Sequence, residues 1–110
     1  MSIATLPSNT DPAVTRVAGA LADYQKEHPQ ASIDIRRSSS ASIHVRVVDP
    51  AFAGQDRVSR EDRVWPLLER LPDDVFTQIT VLLLLTPDDC GKSHANLVYF
   101  GRPDPAPAGA

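Results

Sequence analysis

A thiol and an imidazole lie four residues apart near the end of the chain, in the segment 90–94 (CGKSH). Both Cys90 and His94 carry side chains that bind transition metals. A closed metal site usually takes four ligands, so this pair alone predicts at most a metal shared with a partner. The sequence offers no orienting group for a catalytic dyad, and a surface thiol is the simpler expectation.

Arginine is concentrated in the middle of the chain, where guanidinium groups would suit phosphate binding. The residues are Arg36, Arg37, Arg46, Arg57, Arg60 and Arg63. Four carboxylates lie among them, at Asp49, Asp56, Glu61 and Asp62. They cancel most of the positive charge, and the whole chain carries a net charge of −3. The Gly-x-x-Gly loop that clamps nucleic-acid backbones is also absent from the sequence, so the charge pattern disfavours nucleic acid as a ligand.

The paired carboxylates do not form a catalytic arrangement. Asp73-Asp74 and Asp88-Asp89 lie at the ends of predicted elements, where acidic residues cap helices and solubilise turns. We therefore expect a binding protein rather than an enzyme.

Composition indicates one globular domain. The chain has 110 residues, 42% of them hydrophobic and 23% charged. A single cysteine excludes an intrachain disulfide and favours a reducing compartment. The N-terminal residues lack the basic and apolar regions of a signal peptide, and the longest apolar run, Val81–Leu85, is too short to span a bilayer. We expect a cytoplasmic protein that does not enter membranes.

The folded domain is predicted over residues 11–100. Residues 1–10 are aperiodic and expected to be flexible, and residues 101–110 form a Pro/Ala-rich tail expected to be disordered. A first helix should begin with Asp11 as its N-cap and Pro12 at its first position, and Pro29 should end it.

Two alternating runs predict a β-hairpin. Residues 32–36 (SIDIR) alternate apolar and polar, and so do residues 43–47 (IHVRV), with serines 38–40 as the turn between them. In the second run His44 falls on the polar side, where it is expected to be an ordinary strand residue.

A second helix and a short third one follow. Ser59 is the predicted N-cap of the second helix, and Pro66 is expected within its first two turns, where proline is tolerated better than deeper in a helix. One more helical turn is predicted at Asp73–Phe76.

The last predicted strand is Ile79–Leu85, which is apolar at both odd and even positions. That pattern predicts burial on both faces. A helical crossover makes this strand parallel to the second strand of the hairpin. Residues 96–100 are expected to add a short edge strand or to dock as a cover. The predicted fold is α+β, in the order α-β-β-α-(α)-β, with a three-stranded mixed sheet and its helices on one face.

Residues in the middle and at the end of this pattern resemble the BolA family of stress-response morphogens, whose fold is related to the type II KH domain. The matching positions are 47–54 (VVDPAFAG), Val58, Arg60, Val64, Leu67 and 82–89 (LLLLTPDD). The resemblance covers residues 12–89. It implies a non-enzymatic adaptor that pairs with monothiol glutaredoxins in iron–sulfur cluster handling, and some members are described as transcriptional regulators.

The chain departs from the family at the positions that handle clusters. The family usually has a ligand histidine at the start of the third strand, and here that position is Gln78, whose amide cannot replace an imidazole. Its Arg-His-Arg motif at the helix start is Arg60-Glu61-Asp62 here, and the hairpin loop holds serines. The resemblance therefore implies the fold, but it does not extend to cluster ligation, and we expect no resident cofactor.

We expect the partner surface at the loop and helix start after the hairpin, together with the exposed edge of the sheet. Phenylalanine, glycine and arginine on loops, together with tryptophan, are typical of binding hot spots. The candidate residues are Phe52, Gly54, Arg57, Arg60, Arg63 and Trp65. Trp65 has two alternatives, as a core residue or as a half-exposed anchor beside Phe52 and Arg60.

Three other functions stay open. One is a KH-like nucleic-acid-binding regulator, which requires the arginines on one uninterrupted positive face. Another is an iron–sulfur carrier that uses Cys90 or His94 as ligands. The third is a homodimer that exchanges residues 96–100 as an edge strand.

Overall fold

The computed structural model describes residues 3–6 and 11–100, and it gives the backbone alone for 3–6 and for positions 94, 98 and 99. A 3₁₀ turn, Pro50–Phe52, follows the hairpin and precedes the loop 53–56. The elements follow in the order β1 (Ile3–Leu6), α1 (Pro12–Glu27), β2 (Ser32–Ser39), β3 (Ser42–Val48), α2 (Arg57–Leu68), α3 (Asp73–Phe76), β4 (Ile79–Leu85), α4 (Pro87–Cys90) and α5 (His94–Phe100).

The strands form one mixed sheet in the order β1-β2-β3-β4. β2 and β3 are the predicted antiparallel hairpin, with Ile33 opposite Val47. β3 and β4 run parallel, with Val47 opposite Leu84, as the helical crossover predicts. The small α+β fold and its mixed sheet of three predicted strands are confirmed.

A fourth strand, β1, lies at the far edge of this sheet and pairs in parallel with β2. It falls in the segment that we expected to be flexible. Four residues without a helical or alternating pattern give no local indication of a strand, and the pairing depends on the edge that β2 offers. The predicted tail, residues 101–110, lies outside the described residues.

The core lies between one face of the sheet and the helices α1 and α2. Alternate residues of the hairpin point into it and are fully buried: Ile33, Ile35, Ile43, Val45 and Val47. Val14, Val17 and Leu21 of α1 and Val64 and Leu68 of α2 pack against them. α1 begins as predicted, because the Asp11 carboxylate accepts hydrogen bonds from the amides of Ala13 and Val14.

α2 begins three residues before the position that the sequence indicated. Asp56 is its N-cap, and the carboxylate accepts the amide of Ser59 at 2.9 Å. Ser59 is therefore inside the helix, and the prediction that it caps the helix is wrong. Because of this shift, Pro66 lies in the third turn rather than in the first two.

α5 covers part of the opposite face of the sheet, so the helices are not all on one face. Residues 96–100 belong to this helix, which confirms the expected cover and excludes the edge strand. The Phe100 ring lies 4.8 Å below the guanidinium of Arg46, and Asn96 accepts a hydrogen bond from the same group at 2.8 Å. The homodimer that would exchange residues 96–100 as a strand loses its structural basis.

β4 lies at an edge of the sheet. The prediction that it is buried on both faces is wrong, as the exposure of its side chains shows. Leu84 alone among its residues is buried, and Val81, Leu82, Leu83 and Leu85 are half-buried. Within the described part of the chain, no helix has the length and apolar character needed to cross a membrane.

Candidate functional site: the groove beside β4

Arg60 connects three separate segments near the start of α2. Its Nε donates to the carbonyl oxygen of Gln55 at 3.0 Å, and its Nη1 donates to the carbonyl oxygen of Leu84 at 2.9 Å. Nη1 also donates to Oδ2 of Asp89 at 2.8 Å. The guanidinium lies 5.7 Å from the centre of the Phe52 ring. Arg60 therefore joins the loop, β4 and α4, and 17% of its side chain stays exposed.

Asp89 is also held in place by Thr86. Thr86 and Asp89 form a reciprocal capping box at the start of α4, in which each side chain accepts the other residue's amide. The hydrogen bond from the Thr86 amide, together with the one from Arg60, lowers the pKa of the Asp89 carboxyl. Asp89 is therefore an ionised acceptor at neutral pH.

These contacts border a groove of about 450 Å³ along the outer edge of β4, which we call the β4 groove. Its floor is residues 82–85 of β4. Its walls are formed by Gln55 and the start of α2 on one side and by α4 and α5 on the other. The wall residues are Gln55, Arg57, Arg60, Glu61, Asp89 and Ala95.

Gln55 lies in the wall of this groove and carries a buried side-chain oxygen. Its Nε2 donates to the carbonyl oxygen of Ala51 at 3.2 Å, which fixes the orientation of the amide. Its Oε1 is buried and accepts no hydrogen bond from any described residue. A buried acceptor without a donor is unfavourable by about 1–3 kcal/mol.

Phe52 is a core residue and does not belong to the partner surface that the sequence predicted. Its side chain is fully buried. Asp49 accepts the amide of Ala51 and caps the 3₁₀ turn, which directs the ring inward toward Tyr24, 6.3 Å away. Phe52 supports Arg60 from below, and it cannot contact a partner directly.

The other predicted surface residues divide into two groups. Arg57 is 89% exposed, lines the groove and pairs with Glu61 at 3.1 Å. Gly54 is exposed next to the groove, and its φ of +79° is a conformation that favours glycine. Arg63 is exposed but does not line the groove.

Trp65 is half-buried and packs edge-to-face on Phe76, with ring centres 5.5 Å apart. Its partner is therefore α3, and it does not form the predicted anchor with Phe52 and Arg60. Val58, by contrast, is 65% exposed at the start of α2. The sequence places Val58 only in the family pattern, because periodicity alone does not show which face of a short helix stays open.

Gln78 lies beside the hairpin end, where the family resemblance places a ligand histidine. Its Oε1 accepts a hydrogen bond from Nη1 of Arg37 at 2.6 Å, and its Nε2 donates to the carbonyl oxygen of Asp74 at 2.8 Å. Arg37 also pairs with Asp11 at 2.7 Å. An amide and a guanidinium, both already hydrogen-bonded, do not fit an iron–sulfur cluster, which takes thiolate or imidazole ligands.

Cys90 ends α4 and is half-buried. Burial raises the pKa of its thiol, which disfavours the thiolate form that binds metals. His94 begins α5, and the described atoms include only its backbone. No group of three or more potential metal ligands occurs among the residues whose side chains are described. The shared cluster stays a prediction without a ligand set.

Most of the central arginines are paired with carboxylates. Beyond Arg57 and Arg60, Arg37 pairs with Asp11 and Arg46 pairs with Asp34. These pairs neutralise the positive charge locally. Four of the six arginines therefore do not contribute to the uninterrupted positive face that nucleic-acid binding requires.

A cluster of buried Tyr24 and Asp49 with half-buried His28 was not predicted. The Tyr24 hydroxyl donates to Oδ2 of Asp49 at 2.5 Å, and Nδ1 of His28 is 3.3 Å from the same oxygen. The Tyr24 and His28 rings stack with centres 4.1 Å apart. Burial, and then the Asp49 carboxylate, raise the pKa of Tyr24. The cluster fastens the end of α1 to the end of β3, and its four-residue helical spacing was the available indication.

Comparison with protein-family models, with curated proteins and with solved structures finds no match to this chain. The resemblance to the BolA family consequently rests on the residues quoted above. The function must be argued from the groove and its surroundings.

Proposed function

We propose that this protein is a cytoplasmic, non-enzymatic BolA-like interaction module whose contact surface is the β4 groove and the exposed start of α2. The observation that carries the proposal is the open apolar edge of β4. Leu82, Leu83 and Leu85 are half-buried along a groove, and exposed Val58 and Arg57 lie on the adjoining helix. An apolar floor with polar walls is typical of a protein-binding surface.

The charges around the groove favour binding over catalysis. Arg57 pairs with Glu61, and Arg60 pairs with Asp89. A general acid needs a pKa near the working pH, and the lowered pKa of Asp89 moves that carboxyl in the opposite direction. The groove residues thus support recognition and positioning rather than proton transfer.

A monothiol glutaredoxin is the first partner to test, because the family resemblance implies one. The proposal covers the protein contact and a regulatory role in the stress response. It leaves cluster ligation out, because Gln78 and Arg37 already bind each other at the position where a ligand would be needed.

The first experiment is affinity purification from the native cell, followed by mass spectrometry, with wild-type protein, Arg57→Glu and Val58→Asp. Both substitutions change exposed side chains at the start of α2. Arg70→Ala is the matched control, since Arg70 is an exposed arginine just beyond the opposite end of the same helix. We expect the groove variants to lose a partner that wild type and the control retain. Retention of every partner by both groove variants would remove the proposed surface.

The second experiment mixes the purified chain with a monothiol glutaredoxin and records the absorption spectrum. The proposal expects a complex that is weakened by Val58→Asp. A cluster absorption band lost in a Cys90→Ser, His94→Ala double variant would instead support the carrier function. A colourless complex, or a band that the double variant retains, would exclude that function.

A further inference from the structure

The backbone of β4 has two residues directed away from the sheet. The carbonyl oxygen of Leu85 accepts the amide of Asp49 at 2.8 Å, so Leu85 faces β3. Successive residues of a strand direct their backbone groups to opposite sides, and therefore Leu84 and Leu82 face outward. The hydrogen bond from Arg60 to the Leu84 carbonyl agrees with this direction. Leu82 thus offers an amide and a carbonyl to an incoming strand.

The residues of this edge lack the charges and prolines that usually protect an exposed strand. Protected edges carry lysine, proline or inward-pointing charges, or they are very short. β4 has seven residues, and none of them is charged or proline. Within the described part of the chain, Arg60 holds one carbonyl of this edge, and β4 ends the sheet order. An apolar, extended edge of this kind is a template for another strand.

The charges beside the edge select the kind of strand that would fit. Both arginines of the groove are neutralised within the chain, Arg57 by Glu61 and Arg60 by Asp89. A strongly charged ligand therefore gains little there, and its desolvation would be unfavourable. A second copy of β4 is uncharged along its whole length and apolar at every position except Thr80, and it brings the same neutral walls. The edge is thus complementary to itself.

We propose that two copies of this chain pair through their β4 edges, antiparallel and around a two-fold axis at Leu83. In that register Leu82 of one copy lies opposite Leu84 of the other, twice per dimer. The Leu84 carbonyl already accepts a hydrogen bond from Arg60, and it would accept the Leu82 amide of the other copy with its second lone pair. Leu83 of one copy lies opposite Leu83 of the other as the non-hydrogen-bonded pair, with Cα atoms about 4.5 Å apart. Residues 81–85 are all apolar, so every cross-strand pair is apolar.

The pairing would extend the four strands into one sheet of eight across the two-fold axis. Such isologous contacts are the commonest way in which soluble proteins form dimers. The proposal does not depend on the proposed function. A protein partner that takes the same groove would compete with the second copy, and the two equilibria are measured separately.

The test is the mass of the full chain by sedimentation velocity over a concentration series. We expect a monomer–dimer equilibrium for wild type and a dissociation constant at least about tenfold higher for Leu83→Lys. Leu82→Pro removes one outward amide without removing a bond to β3, and it should weaken the dimer as well. Leu97→Lys is the matched control, because Leu97 is an exposed leucine on α5 and off the edge. It should leave the equilibrium unchanged.

A cross-link tests the register. In a Cys90→Ser background, Leu83→Cys should form an intermolecular disulfide under mild oxidation, since the Cα spacing of the central pair suits one. Leu97→Cys in the same background should cross-link far more slowly. A chain that stays monomeric at its highest soluble concentration would overturn the proposal. A dimer that Leu83→Lys leaves intact would overturn it equally, because the contact would then lie elsewhere.

Discussion

Arg60 donates one hydrogen bond to the carboxylate of Asp89 and another to the backbone of β4, and both come from the same nitrogen. The two residues are 29 positions apart in the sequence. Their contact holds the start of α2 against the end of β4, and both side chains line the β4 groove. The architecture of the candidate site therefore depends on a pair that belongs to no single element.

Replacing Arg60 by alanine should destabilise the fold. The change removes the donor of the Leu84 carbonyl and leaves the Asp89 carboxylate with the Thr86 amide as its donor. A charge-assisted hydrogen bond contributes about 1.5–3 kcal/mol. We expect the free energy of unfolding to fall by about that amount in urea titrations. Arg60→Lys should recover part of it, since an ammonium group keeps the charge but cannot reach all the acceptors of the planar guanidinium.

Asp89→Asn supplies the control for this prediction through a double-mutant cycle. Contacting residues are non-additive, so the double variant should be less destabilised than the sum of the two single variants by at least about 0.5 kcal/mol. Additive effects would mean that the two side chains do not interact in solution.

Phe52→Ala should unfold the domain readily while leaving recognition by the folded molecules intact. Phe52 is fully buried, and removing a buried phenylalanine costs about 3–5 kcal/mol. Denaturation with urea measures this loss, and partner affinity is then compared per folded molecule. Phe52→Leu, which retains most of the volume, should lose much less stability. A partner lost by Phe52→Leu at unchanged stability would contradict the assignment of Phe52 to the core.

Tyr24→Phe should lower the free energy of unfolding by about 1–3 kcal/mol, because the buried Asp49 carboxylate loses the donor 2.5 Å away. Urea titration at neutral pH measures the effect. In an Asp49→Asn background the same substitution should cost less, because the hydrogen bond is then neutral. Equal costs in the two backgrounds would mean that the charge of Asp49 does not strengthen the bond.

The elements that the sequence predicted well have local determinants. Asp11 and Pro12 begin α1, and the alternation in residues 32–36 and 43–47 defines the hairpin. The position of β4 in the sheet could not be obtained in this way. A run that is apolar at both parities predicts a strand, but it does not show whether another strand lies outside it. The edge position of β4 depended on residues 96–100, whose short sequence fits either a strand beside β4 or a helix. They form part of α5.

The site was predicted in part for the same reason. Arg57, Arg60 and Gly54 were expected on the surface and are found at or next to the groove. The prediction that Phe52 lies on the partner surface was wrong, because the cap by Asp49 turns its ring into the core. A loop position in the sequence does not reveal that direction. Asp89 was missed as the partner of Arg60, since a contact across 29 residues leaves no periodic pattern.

Acid should remove the contribution of the Asp11–Arg37 pair to stability. The hydrogen bond from Arg37 lowers the pKa of Asp11 from 3.8 to about 2. A lowered folded-state pKa gives stability that is present above pH 4 and is lost as the pH falls toward 2. Stability measured over this range should fall less steeply for Asp11→Asn, which still caps the helix but lacks the charge. Parallel profiles would place the acid sensitivity at other carboxylates.

Cys90 should react slowly with an alkylating reagent. Burial raises the pKa of the thiol, and the thiolate is the form that attacks iodoacetamide, so little reactive species exists at pH 7. The rate, followed by mass spectrometry over a pH series, should still be rising above the pH at which an unperturbed cysteine levels off. The same chain in denaturant is the control, and it should react faster and level off earlier. A rate in the folded protein that levels off near neutral pH would show a stabilised thiolate, and Cys90 would then regain its standing as a metal ligand.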